Sequence, residues 1–120
     1  MSLPDQLHAW AEWTKSSGKF MSPAVWISHS SPKITTHDNT PAEILPLVTA
    51  MNAIRSKSDS RADDVLTLQV HALYPGYGLS IRTEALRISQ DTYWRRVAIA
   101  RKLLNTYMEA IDSHGRHHGR

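Results

Sequence analysis

The sequence predicts a small all-α domain, and three observations carry that prediction. Apolar residues recur at intervals of three and four in separate stretches along the 120 residues. Several of those stretches open on Ser, Thr or Asp with Pro or an acid in the next turn, which is how helices begin. The one stretch that alternates like a strand finds no partner strand elsewhere.

The opening SLPDQLHAWAEWTKSSG reads as a short helix. Ser2 caps it, Pro4 suits its first turn, Asp5 favours the positive end of the dipole, and Gly18 lies beyond its end. Leu3, Leu7, Trp10 and Trp13 form its apolar stripe.

Residues 16–41 differ, holding six Ser, three Thr and three prolines. They read as a long, mostly irregular connection with Ala24–Ile27 as a small hydrophobic anchor. Thr40-Pro41-Ala42-Glu43 then has the form of a capping box, with Ile44, Leu45, Val48, Met51 and Ile54 following at helical spacing. Pro46, at the sixth position, kinks or delays that helix. Ser60-Arg61-Ala62-Asp63 signals another start. Residues 62–73 fit either period, but their length and their cap favour helix over strand.

Residues 80–112 are the most informative. Ser80 is placed to cap a short helix, Ile81–Leu86. Arg87-Ile88-Ser89 makes a turn, and Ser89 caps a second helix to about Asp112. There Tyr93, Val97, Ala100, Leu104, Tyr107 and Ile111 form an apolar seam, widened by Met108. Rotation by about 100° per residue puts Asp91, Arg95, Ala98 and Lys102 opposite the seam, flanked by Trp94 and Arg101 on one side and Thr92 and Arg96 on the other. Two helices joined by a tight turn, the second polar and cationic outward, have the pattern of a helix-turn-helix whose second helix enters the major groove. The turn carries Arg87 where glycine is usual, so left-handed backbone there has a steric cost.

Charge supports the same region. The net +3 is uneven: residues 80–104 carry six Lys or Arg against Glu84 and Asp91. Such a cluster is a candidate phosphate footprint, because neutralising a polyanion releases its counterions. The bland alternative is a solvated helix face. Zero cysteines exclude a disulfide scaffold, a thiol nucleophile and a cysteine zinc site. No run approaches a membrane span or a signal peptide, so a cytoplasmic protein is expected.

The Leu7-His8-Ala9-Trp10-Ala11-Glu12-Trp13 segment and the run from Ala85 through Ser89, Thr92, Tyr93, Arg95, Arg96 and Val97 to Ala100 together resemble the phage late-gene antitermination Q family, in its short, cysteine-free branch. The second run is also similar to region 4 of bacterial sigma factors. The resemblance implies an all-helical fold, binding to double-stranded DNA near a late promoter, and attachment to a paused bacterial RNA polymerase that then reads through terminators. It implies no metal and no cofactor.

The expected organisation is one domain, residues 1–112, with a mobile His/Gly/Arg tail at 113–120. A non-enzymatic DNA binder is the favoured reading, as a monomer or weak dimer. Arg95, Arg96, Arg101 and Lys102 would contact phosphates or bases, with Gln90, Asp91, Thr92 and Trp94 nearest the bases. Arg82 and Arg87 would hold the backbone, and residues 1–60 would supply core and the polymerase-facing surface. The rivals are a helix-turn-helix repressor or sigma-like regulator, and a small helical inhibitor of a host protein. A nuclease built on Asp59, Asp63 and Asp64 comes last, because those acids sit where a helix start wants them.

Overall fold

The computed structural model describes residues 2–16, 21–30 and 40–118, with side chains described through Ala110. Six helices follow in order: α1 Leu3–Ser16, α2 Pro23–His29, α3 Leu45–Arg55, α4 Ser60–Leu73, α5 Leu79–Leu86 and α6 Gln90–His118. No strand occurs among the described residues.

The α1 start is built as the sequence implies. The Asp5 N–H donates to the Ser2 hydroxyl at 3.4 Å, and that hydroxyl donates to the Asp5 carboxylate at 2.7 Å. Leu3, Leu7 and Trp10 are buried, and Trp13 packs on the core from the edge.

α2 corrects the expectation of irregular chain across 16–41. The Ala24–Ile27 anchor is helical, opened by Pro23 in the first turn, where its missing N–H costs nothing. Tertiary contact holds so short a helix: the Trp26 ring meets Trp10 edge-on at 6.4 Å, and Ile27 leans on the core. Residues 31–39 of the expected connection, and Gly18, lie outside the described residues.

α3 begins at Leu45, later than the Thr40 capping box implies. Pro46 explains the delay, since it fits the first turn of a helix and not its interior. Residues before it form tight turns, with Ile44 N–H bonded to the Pro41 carbonyl at 3.1 Å. No side chain caps α3, and the Thr40 hydroxyl is buried without a partner.

The ambiguous segment is helix α4. Its cap is Asp59, one residue earlier than expected, accepting from the Arg61 and Ala62 N–H groups at 3.0 and 3.3 Å. Ala62, Val65, Leu68, Val70 and Leu73 are buried together with Asp64, Thr67 and Gln69, so α4 is enclosed on nearly every side. It is the central helix, packed against α6, α3, α1, α2 and α5. Each fully buried aliphatic chain here is worth about 1.5–3 kcal/mol relative to exposure.

The seam of α6 is as expected through Met108: Tyr93, Val97, Ala100 and Leu104 are buried, with Tyr107 and Met108 half-buried beside them, while the Ile111 side chain lies outside the described residues. The helical backbone continues past Asp112 to His118. The side chains of the 113–120 segment lie outside the described residues.

Candidate nucleic-acid interface

The connection between α5 and α6 sets the geometry of the candidate surface. α5 ends at Leu86 and is capped by Arg87, whose backbone is left-handed at φ 59° and ψ 44°. The Arg87 N–H bonds the Glu84 carbonyl and the Ile88 N–H reaches back to the Thr83 carbonyl, both at 3.1 Å. These bonds satisfy the last carbonyls of α5 and hold an arginine in a conformation that suits glycine. The start of α5 differs from expectation: it opens on Gly78 with no side-chain cap, and Ser80 lies inside the helix.

Ser89 caps α6, its hydroxyl accepting from the Thr92 N–H at 3.2 Å and donating to the Thr92 hydroxyl at 3.0 Å. This fixes the first turn of α6 and so the direction of the residues that follow. Gln90, Asp91, Arg95, Arg101 and Lys102 are exposed. Arg87 is exposed on the turn, whereas Thr92 and Arg96 are half-buried. Trp94 keeps 48% of its surface open, yet its ring is braced edge-on by Tyr93 at 5.1 Å and His71 at 5.5 Å.

The cations are not equivalent. Arg87 and Arg96 line a groove of about 480 Å³ between α2, α4, α5 and α6, shared with Asp63 and Glu84. Burial raises the Asp64 carboxyl above its ordinary range, and Arg96, then Arg95, pull it back down. Arg96 thus also acts on the buried Asp64. Among the described residues no carboxylate lies within ion-pair distance of Arg95, Arg101 or Lys102.

Arg82 departs from its expected place on the DNA backbone. It is buried at 9% exposure, and its guanidinium lies 5.4 Å from the Tyr93 ring centre. Its Nη1 donates to the Tyr93 hydroxyl at 2.8 Å and lies 3.1 Å from His71 Nδ1, while Nε is buried without a partner. The Tyr93 hydroxyl in turn lies 2.8 Å from the same imidazole nitrogen and donates to it. His71 is therefore neutral, its pKa held below 6.5 by burial and then by Arg101 and Arg82. The sequence reading missed His71, and no local signal marks it, because Tyr93 and Arg82 stand 22 and 11 residues away.

Among the described residues no three His, Asp or Glu side chains are grouped to hold a metal ion, and no helix is long and apolar enough to cross a membrane. No known protein family, curated protein or solved structure matches the chain.

Proposed function

We propose that this chain is a DNA-binding transcription antitermination factor that presents the front of α6 to the major groove. The observation carrying the DNA-binding reading is the run Gln90, Asp91, Trp94, Arg95 and Lys102, exposed together on a helix whose first turn is fixed by Ser89. Gln90 and Arg95 carry the donor and acceptor groups that read base edges, Lys102 and Arg101 supply phosphate contacts, and the open side of Trp94 suits a sugar or a thymine methyl. The antitermination part rests on the resemblance of the Leu7–Trp13 and Ala85–Ala100 segments to the late-gene antitermination family. In that reading the protein loads RNA polymerase paused beside its DNA element.

Three measurements test it. About four to six phosphate contacts give a log–log salt slope of binding near −4 to −5. Arg95→Ala should weaken specific binding by about 1–3 kcal/mol while leaving random-sequence binding nearly unchanged. In a purified transcription assay the wild type should raise terminator readthrough only when the template carries its element beside a pause. Repression of initiation without readthrough would instead favour the repressor.

One observation favours a second reading, a protein-binding inhibitor. Ile81, Trp94 and Ile99 on α5 and α6 are large apolar residues at 47%, 48% and 42% exposure. Absence of nucleic-acid affinity at moderate salt would select it over the first.

A further inference from the structure

A cavity of about 320 Å³ opens between α1, α4 and α6, away from the α5–α6 turn. Its floor is apolar: Leu3, Leu7 and Leu68 line it and are buried. Its rim is polar, with exposed Arg101 and Asn105 from α6 beside half-buried His71 from α4. Neither Asp nor Glu lines it, and Arg101 is its one permanent charge.

The rim is biased toward donors. Arg101 can only donate, and its guanidinium matches a carboxylate in shape. His71 Nδ1 is occupied by the Tyr93 hydroxyl and Arg82, which leaves Nε2 as the proton-bearing nitrogen of the neutral ring. The Asn105 amide adds a further donor. An apolar floor of this size beneath convergent donors suits a ligand near the small end of the range, since ligand cavities run from roughly 300 to 1,000 Å³.

We propose that this cavity is a binding site for a small apolar carboxylic acid, its ring or short chain on Leu3, Leu7 and Leu68 and its carboxylate on Arg101. The cavity itself needs only the packing of α1 and α6 on α4, but it shares Arg101 with the phosphate contacts of the DNA-binding reading.

The probes are phenylacetate and its uncharged isostere phenylacetamide, titrated into the full chain and followed by amide shifts in nitrogen-edited NMR. Phenylacetate should saturate one site and move the amides around Leu7, Leu68 and Ala72, with the amide analogue at least about tenfold weaker. Arg101→Gln, at an exposed position, should keep the fold and abolish that preference. Ala72→Phe, which fills the cavity, should remove binding of both probes, and Asn105→Phe at the rim serves if the first variant does not fold. Equal affinity for acid and amide, an acid preference that survives Arg101→Gln, or no saturation by about 10 mM each overturns the proposal.

Discussion

The Arg82–Tyr93–His71 cluster makes a sharp test, because the single changes should differ in a way that surface chemistry would not produce. Tyr93 is fully buried, and its hydroxyl accepts from Arg82 and donates to His71, both at 2.8 Å. Tyr93→Phe removes that hydroxyl and leaves a buried guanidinium with only the 3.1 Å contact to His71. A bond to a charged group is worth about 1.5–3 kcal/mol, and an orphaned buried donor costs about as much, so a loss of roughly 2–3 kcal/mol is expected. That corresponds to a fall in Tm of about 8–12 °C for a domain of this size. Arg82→Met should behave differently. Tyr93 keeps His71, the unpartnered Nε disappears, and a side chain of similar length fills the space, so stability should stay within about 1 kcal/mol of wild type. The double variant should be no worse than Tyr93→Phe alone, since the buried charge that made that change harmful is gone. Urea unfolding followed by circular dichroism measures all three. The salt slope of DNA binding should be unchanged in Arg82→Met. A loss above about 3 kcal/mol for Arg82→Met, simply adding to that of Tyr93→Phe, would refute the claim that the guanidinium is dispensable. A slope reduced by about one would put Arg82 on a phosphate after all.

Other consequences follow from the same packing. Val97 is 1% exposed in the seam, so Val97→Asp buries an unpaired carboxylate at a penalty of several kcal/mol and should abolish cooperative unfolding. Because the folded pKa of His71 is lowered, the neutral ring contributes stability above about pH 6.5, and that stability is lost as pH falls through the lowered value. His71→Asn should flatten the acid limb of a Tm-against-pH profile, and an unchanged limb would assign it to other groups. Asp64 has the opposite sign: its pKa is raised, so its ionisation on going above about pH 3.8 opposes folding. Asp64→Asn should therefore raise Tm at pH 7, with the gain vanishing at strongly acid pH. A loss at pH 7 would mean that Arg96 and Arg95 outweigh burial.

What the sequence disclosed was local. The Ser2 and Ser89 caps each act within three residues, and the α1 stripe and α6 seam need only helical periodicity to be read. Rotation alone also placed Arg95 and Lys102 outward, as the structure has them. The departures came from contacts distant in sequence, or from competition between neighbouring signals. α2 is too short to announce itself and depends on Trp26 meeting Trp10. Thr40 and Pro46 sent conflicting start signals, and the steric demand of proline decided between them. Arg82 sits on an eight-residue helix, where two turns show no clear face, and its burial follows from Tyr93 and His71 on two other helices.

Helix α4 is the element that connects these observations. From its N-terminal half Asp64 faces the field of Arg96 and Arg95, which ties part of the cationic surface of α6 to the core. From its C-terminal half His71 braces Trp94, contacts Arg82 and lines the cavity with Arg101. A shift of α4 against α6 would therefore act on both ends of the candidate surface, altering the support of Trp94 at one and the surroundings of Arg95 at the other. The buried α4–α6 seam opposes such a shift, because Tyr93, Val97, Ala100 and Leu104 leave little room to slide. The exposed residues of α6 are thus presented by a rigid element, while Arg82, Tyr93 and His71 act from beneath it as positioning residues. Substitutions at those three positions should move stability and the setting of Trp94 before they move the charge of the proposed DNA-facing surface.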